Sequence, residues 1–488
     1  MIKIKSIQFP QEHSVLGNLE LNFCDNNGTP ADTIIIAGEN GTGKTTILEE
    51  IYKIMKYECD CKDLKLEVLC GSENKVIIYN GELEVYNVRA DGIRMERIRS
   101  VTCNDISINQ IEINFGENGQ TNNSIYSTVN INFSPNNKIK EIKTNGLDNK
   151  DERNHEFNEK TATNIKQLFV DITNYDNKII ADKARENMGE KITEEMLQGR
   201  MDRFKNAFDD MFINNIKYKG IDNINGNIEI LFEKKGKEIS IDDLSSGEKQ
   251  IVFRGAFLLQ NKEALNGAVV LIDEPEISMH PKWQQKILDY YRKLFLDNNK
   301  QTSQIIVSTH SNFVIENAVQ KLKQQQQENI VIICLQENNP PKRISRDNYP
   351  FILPTVTAEE INYHVFNITS IGYHIQLFGY LHSLMEKHFS KDMSIADVDD
   401  KIKNNQRLLS KNKNLLQDSD GNSWEWKYTN RKKHTFEYET ICCFIRNAID
   451  HPDNLSTQTK KEYTENDLQD SIEILIELIK LAKLRRLK

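Results

Sequence analysis

The sequence predicts an α/β fold with a β-rich N-terminal lobe and a helical insertion, followed by an all-α four-helix bundle. Three observations carry that prediction. An apolar run, Ile34, Ile35, Ile36, Ala37, leads straight into the Gly-rich octet Gly38–Thr45, GENGTGKT, and then into the helix-like stretch 46–55. From Leu244 to the run 330–335, strand-like and helix-like segments alternate, the pattern of an α/β domain. Four of the ten prolines cluster between Pro340 and Pro354, and beyond them the periodicity is helical.

The chain opens on alternation at Ile2, Ile4, Ile7 and Phe9, which reads as a strand. The octet after Ala37 matches GxxxxGK[ST], a P-loop. A buried strand there delivers a turn whose backbone N–H groups at Gly38, Asn40, Gly41 and Gly43 can surround phosphate oxygens, and a helix starts at the same point. Lys44 then reaches the β- and γ-phosphates, Thr45 holds Mg²⁺, and Thr46 lies in the first helical turn. A second GENG at Gly116–Gly119 lacks the GlyLysThr and reads as a turn. Alternation at Ile111, Ile113, Phe115 and at Val129, Ile131, Phe133 predicts further strands, 145–160 a polar loop, and 168–173 another strand. A helical insertion covers about 181–212, with Met196, Leu197, Met201, Phe204 and Phe208 on it, and strands resume at 228–232.

With 488 residues, two or three domains are expected. No run of about 18 apolar residues occurs, and the N-terminus lacks an apolar signal-peptide core, so no membrane partner is expected and the cytoplasm is the default location. The eight cysteines are scattered and form no paired CxxC sets of the zinc-binding kind. A net charge of −9 argues against indiscriminate coating of nucleic acid, which leaves room only for a local basic surface.

Leu244–Gln250 reads LSSGEKQ and precedes an apolar helix-like run. It resembles the signature motif of ABC-type ATPases, in the form found in RecF, structural-maintenance and related repair and defence ATPases. The Ser245 hydroxyl and the Gly247 N–H at such a helix start form a second anion site for a γ-phosphate, and the resemblance adds Glu248 to the nucleotide-binding set. The run 268–272 ends in Asp273 and Glu274, carboxylates suited to hold Mg²⁺ and to orient an attacking water, with Pro275 expected to keep Glu274 extended. The strand 305–307 ends in Ser308, Thr309 and His310, and the resemblance makes His310 the switch histidine that senses the γ-phosphate. Residues 274–281, EPEISMHP, resemble the corresponding stretch of the overcoming-lysogenization and Septu-type subset. The order of these motifs is that of the ABC plan. The resemblance implies ATP held between two subunits, hence a homodimer or a higher assembly of dimers. No glutamine declares itself for the family's Q-loop.

Helices are expected at 358–388, 395–416, 436–449 and 465–487, a four-helix bundle. The domains are then 1–345 for the ATPase, 346–356 for a linker and 357–488 for the bundle. The third helix ends in Arg446, Asn447, Ala448, Ile449, Asp450, His451, which resembles the Rx4–6H motif of the HEPN superfamily, whose members include metal-independent ribonucleases active as dimers. Asn447 and His451 stand one turn apart on one face, while His451, preceding Pro452, can swing towards Arg446. In this role His451 removes the proton of a ribose 2′-OH or protonates the leaving oxygen, and Arg446 stabilises phosphate charge. The other reading makes Arg446 a solvated charge and His451 a helix cap. Between Lys401 and Lys433 lie nine basic and three acidic residues, with Trp424, Trp426 and Tyr428 among them. That segment reads either as an RNA surface running on to His451, or as a solvated face whose tryptophans pack on the bundle.

An ABC-type ATPase joined to a HEPN domain resembles bacterial anticodon nucleases that act against phage. The resemblance implies an ATPase dimer that controls RNA cleavage, with tRNA as substrate class. Two departures, the lack of a long coiled coil and of a zinc hook, leave the activating signal, phage-derived or other, unassigned. A Septu-type ATPase that recruits a separate nuclease is the second reading, and a RecF-like DNA repair ATPase the third. No acidic metal cluster of the TOPRIM nuclease kind follows Leu335.

Overall fold

The computed structural model describes residues 1–56, 58–88, 95–102, 124–128, 161–186, 200–213, 215–224, 227–259, 267–297, 300–323, 329–337, 339–429, 435–450 and 462–483. The segments 111–119, 129–160 and 187–199, for which strands, turns, a loop and part of the insertion were expected, lie outside these residues, as does His451. The chain divides into two compact units, Met1–Tyr349 and Pro350–Lys488. No described helix is long and apolar enough to cross a membrane.

The first unit begins with β1 (Ile2–Gln8), β2 (Glu20–Asn22), β3 (Thr33–Gly38) and α1 (Lys44–Lys56), followed by β4 (Leu64–Cys70), β5 (Glu73–Tyr79), β6 (Glu82–Val88), β7 (Met95–Thr102) and β8 (Ser124–Ser127). Next come α2 (Thr161–Glu186), α3 (Arg200–Phe212), β9 (Ile216–Ile224), β10 (Asn227–Lys234), β11 (Lys237–Ser240) and α4 (Ser246–Leu259). The unit closes with β12 (Val269–Ile272), α5 (Pro281–Leu294), the short pair β13 (Leu296–Asp297) and β14 (Lys300–Gln301), β15 (Gln304–Thr309), α6 (Asn312–Lys323), β16 (Ile330–Gln336) and β17 (Asn339–Ile344).

The central sheet runs β17-β16-β3-β15-β12-β8, parallel except for the edge strand β17. Its inner strands β3, β12 and β15 are buried along their whole length and mainly apolar because both faces are covered. A second sheet, antiparallel, runs β2-β1-β4-β5-β6-β7. One apolar core joins them: Ile4, Leu66 and Val68 of the lobe, Ile47, Leu48 and Ile51 of α1, and Ile34, Leu271 and Ile306 of the central sheet are all fully buried. Each such side chain contributes about 1.5–3 kcal/mol relative to exposure. A polar clasp fixes the lobe against the sheet. The buried Gln304 side chain accepts from Ile4 N (2.7 Å) and donates to the carbonyls of Ile4 (3.0 Å) and Ala31 (2.8 Å).

Residues 168–173, expected as a strand, lie within α2. A short apolar run buried on both faces reads alike in either state. What decides is the helical spacing of its partners, seen where Thr173 Oγ1 donates to the Phe169 carbonyl (2.8 Å) and Asn174 Nδ2 to that of Val170 (2.8 Å). Phe169 packs edge-on against Phe204 of α3, and Tyr218 and Phe232 of the β9–β11 sheet complete an aromatic cluster.

The second unit holds α7 (Ala358–Phe366), α8 (Ile371–Phe389), α9 (Ile395–Lys403), α10 (Gln406–Lys411), a hairpin of β18 (Trp426–Thr429) and β19 (Thr435–Tyr438), α11 (Ile441–Asp450) and α12 (Glu465–Lys483). It is thus more broken than the four helices expected. Asn367 in the left-handed region (φ +57°) ends α7, and Ser370 caps α8. Asn405 caps α10, and Phe436 belongs to a strand, so that α11 starts only after Thr440. Short polar side chains that bond the first free N–H groups punctuate these runs. The segment 350–356, expected as a linker, packs into the unit: Phe351, Ile352, Leu353 and Val356 are buried, and the Glu360 carboxylate accepts the N–H groups of Ile352 (2.7 Å) and Leu353 (3.0 Å).

His374 of α8 is fully buried with Nε2 2.9 Å from Ser471 Oγ of α12, and burial pushes its pKa from 6.5 down to about 3. The unfolded chain therefore binds this proton first. Stability from the neutral ring is fully present above pH 6.5 and is lost as pH falls towards about 3, at up to about 1.4 kcal/mol per pH unit. Denaturant unfolding followed by tryptophan fluorescence, with Trp424 and Trp426 as reporters in this unit, is expected to show a steeper acid loss for wild type than for His374→Gln; equal slopes contradict this.

Candidate active site

The register of the central sheet builds the site. Ile272 pairs with Val307, Ser308 with Ile36 and Leu335 with Gly38, so the carboxyl ends of β3, β12 and β15 open at one edge. Ligands of open α/β sheets bind at such an edge. β3 delivers Gly38, and α1 begins at Lys44. Gly43 has φ +86°, which favours glycine, and a Cβ there would stand 2.3 Å from Leu16 Cδ2, so the leucine side chain would have to shift. A Cβ on Gly38 would meet the Leu335 carbonyl oxygen at 2.6 Å. Lys44 is buried and folds back over the loop, donating to the carbonyls of Gly38 (2.9 Å) and Glu39 (2.8 Å). Burial lowers its pKa, while Glu274, Asp273, Glu276 and Glu39 pull the other way. Asn40 and Gly41 are exposed, Thr45 and Thr46 half-buried. A cavity of about 470 Å³ borders the loop, walled in part by Leu16, Leu19, Asn40, Gln336 and Pro341.

Asp273 is buried at the end of β12, and several elements hold it. Thr45 Oγ1 donates to Oδ2 (2.9 Å), Tyr126 OH reaches the same oxygen at 3.4 Å, and Ser308 Oγ donates to Oδ1. Its backbone N–H bonds the Ser127 carbonyl (2.9 Å), and its own carbonyl accepts from Arg254 Nη1 of α4 (3.0 Å), whose Nη2 reaches the Thr128 carbonyl (2.9 Å). Arg254 is fully buried. A hydroxyl and a carboxylate 2.9 Å apart, beside a buried ammonium, form a donor set that fits Mg²⁺ on a triphosphate.

Glu274 is not extended, as Pro275 led us to expect: its φ is +40°. The tight turn 275–278, closed by Ile277 N on the Glu274 carbonyl (3.3 Å), overrides the preference imposed by a following proline. Ser308 Oγ accepts the Glu274 N–H (3.0 Å), and His310 Nδ1 lies 3.3 Å from Glu274 Oε1. Glu276 is buried beneath the histidine, accepting from Thr309 Oγ1 (2.5 Å) and His310 N (3.0 Å). Sequence reasoning missed Ser308, Tyr126, Arg254 and Glu276. A charge within the apolar run IVFRGAFLL was a signal for Arg254; the four-residue strand of Tyr126 offered none.

Ser245 precedes α4, and both Ser245 and Ser246 are exposed. Glu248 is turned inward, accepting the Ser245 N–H (2.8 Å) and pairing with Lys234 (2.9 Å). A Cβ on Gly247 would lie 2.7 Å from the Ser278 carbonyl oxygen, so this helix start is seated on the turn after Glu274. Among the described residues, no hydrogen bond joins Ser245, Gly247 or Glu248 to Gly38–Thr46.

In the second unit Arg446 Nη2 pairs with Asp450 (2.6 Å) and Nη1 donates to Asn447 Oδ1 (2.9 Å). Asn447 is buried and donates to the Cys443 carbonyl (2.8 Å). Trp424 and Trp426, expected as one of two readings to meet bases, are core residues, 0% and 3% exposed, packed on Phe444. Burying indole rings removes far more apolar surface from water than any other choice in the segment. Several of the basic residues are also committed: Lys403 to Glu439 (2.7 Å), and Arg407 (3.8 Å) and Lys411 (3.1 Å) to Glu477.

Strand order and P-loop together define a mixed α/β fold of the P-loop ATPase class. The chain belongs to the family described as "AAA domain, putative AbiEii toxin, Type IV TA system", whose model matches residues 64–316, more than half of the chain. The match begins after the Gly38–Thr45 loop. Two relatives are similar over short stretches: "Retron Vc95 probable ATPase" of Vibrio cholerae serotype O1 biovar El Tor, 38% identical over 91 residues, and "Retron Ec83 probable ATPase" of Escherichia coli, 32% over 93. Each match covers 17% of this chain and 17% or 16% of the relative, so the chain spans about a sixth of either relative's length. Among solved structures, the Smc head domain from Pyrococcus furiosus matches at 14% identity with a TM-score of 0.37, covering 71% of this chain and 97% of that one. The SMC head domain from Thermotoga maritima matches at 14% with a TM-score of 0.31, covering 70% and 98%.

The two positive-φ glycines of the loop, Gly41 and Gly43, predict a contrast. Both have positive φ, which costs about 1–3 kcal/mol for other residues. Only at Gly43 does a Cβ also meet a neighbour; at Gly41 nothing lies within 4 Å. Titration with a fluorescent ATP analogue is expected to show a larger affinity loss for Gly43→Ala than for Gly41→Ala; the reverse order contradicts the packing of Leu16 on the loop.

Proposed function

We propose that this chain is a Mg²⁺-dependent ATPase of anti-phage defence whose nucleotide cycle governs a toxic activity. The observation that carries it is the shared hold on Asp273 by Thr45 and Ser308, which sets Glu274 and His310 beside the P-loop. The amides of Gly41, Gly43 and Lys44 and the Lys44 ammonium bind the triphosphate oxygens, and Thr45 and Asp273 hold Mg²⁺, which neutralises phosphate charge. Glu274 orients the attacking water and accepts its proton, and His310 steadies that carboxylate. The exposed Ser245 and Ser246 at the start of α4 serve the site of a second copy, making a homodimer the working unit. The family and the retron relatives support the defence role.

For the toxic activity, a HEPN-type ribonuclease acting on tRNA through Arg446, Asn447 and His451 is our first reading, supported by the resemblance of the motif. A second reading, an ATPase that recruits a separate nuclease, is favoured by the Arg446–Asp450 pair and the buried Asn447, which commit two residues of that motif to α11 itself.

Steady-state hydrolysis by the purified chain is expected to fall about 10²–10⁴-fold in Glu274→Gln. Undiminished turnover removes Glu274 from the chemistry. Sequencing cellular RNA after expression under phage challenge separates the two readings: breaks lost in His451→Ala favour the ribonuclease, and toxicity that survives His451→Ala but needs a neighbouring nuclease gene favours recruitment.

A further inference from the structure

Glu276 has no part in the hydrolysis scheme above, yet it is among the most deeply buried acids of the first unit, 3% exposed. Its Oε1 takes two donors from consecutive residues, the Thr309 hydroxyl (2.5 Å) and the His310 N–H (3.0 Å), while Oε2 has no hydrogen-bond partner among the described residues. An unpaired buried carboxyl oxygen is costly, so the site holds an acid there against the preference for neutral, satisfied side chains. Burial pushes this carboxyl above its ordinary range, and the donors from Thr309 and His310 pull it back.

The pattern at the end of β15 shows what the acid is placed to do. Three consecutive residues engage three different carboxylates: Ser308 Oγ on Asp273, Thr309 Oγ1 on Glu276, and His310 Nδ1 at 3.3 Å from Glu274. The imidazole is nearly half exposed, 45%, and its Nδ1 stands 3.6 Å from Glu276, beyond hydrogen-bond length. The ring is therefore directed by its backbone, and the backbone N–H of His310 is anchored on Glu276.

We propose that Glu276 is the positioning residue for His310: by fixing Thr309 and the His310 N–H, it sets the imidazole against Glu274 and so makes the hydrolytic carboxylate effective. The inference rests on the reading of Glu274 and His310 as a hydrolytic pair. It gives Glu276 no contact with nucleotide, water or metal. Its removal acts on the chemical step, through His310, and leaves nucleotide binding in place.

The test is ATP hydrolysis by the full chain in wild type, Glu276→Ala, Glu276→Gln, His310→Ala and the Glu276→Ala/His310→Ala double variant, with thermal unfolding as the check on folding. Glu276→Ala is expected to lower kcat about 10-fold or more with KM nearly unchanged. Glu276→Gln, whose amide oxygen still accepts from Thr309 and His310, retains most of the activity. The double variant is expected to match His310→Ala alone within about 2-fold, because one residue acts through the other. Where Glu276→Ala does not fold, Thr309→Val removes one of the two bonds with little change in shape, and its loss of kcat is expected to vanish in the His310→Ala background. Losses that multiply in the double variants, or normal kcat in a folded Glu276→Ala, overturn the inference and leave the hydrolytic reading standing. Wild type that does not turn over ATP overturns that reading and this inference with it.

Discussion

The carboxylate of Asp273 sits where three parallel strands end together, and much of the first unit serves to keep it there. Thr45 comes from the helix after the P-loop, Ser308 from β15 and Tyr126 from β8. None of these contacts survives a one-residue slip in the sheet register, because a slip turns every side chain of a strand to the opposite face. The apolar residues of β3, β12 and β15 fix that register by being buried on both sides. Core packing and site geometry are in this sense one constraint.

Arg254 extends the constraint to α4. A fully buried guanidinium bonded to the carbonyls of Asp273 and Thr128 ties α4 to the ends of β12 and β8. Gly247 allows the first turn of that helix to sit directly on the Ser278 carbonyl. Movement of the Asp273–Ser278 turn and movement of the exposed Ser245 and Ser246 are thereby linked mechanically, with no long-range path required. In the homodimer proposed above, such a link would carry a change at one end of the turn to the surface offered to the second copy.

The sequence revealed the site far better than it revealed the helical unit. GENGTGKT, DEP and STH each interrupt the end of an apolar run and LSSGE stands just before one, and the fold places each at a strand end or helix start. What stayed hidden was chemistry without a pattern: Tyr126 on a four-residue strand, and the φ of +40° at Glu274, where the proline that follows pointed the other way. In the second unit, aromatic residues among basic ones had two readings, and only packing on Phe444 decides that Trp424 and Trp426 are core. Residues 168–173 failed for the same reason in reverse. An apolar run buried all round has no period to read.

Calorimetric titration of ATP into the full chain, with Mg²⁺ and with a chelator, for wild type and Asp273→Asn, tests the proposal that Asp273 and Thr45 together hold the metal ion of a P-loop nucleotide. Wild type is expected to bind ATP more tightly with Mg²⁺, and Asp273→Asn to lose this dependence while still binding the nucleotide. A variant that keeps the full Mg²⁺ dependence of wild type would contradict it.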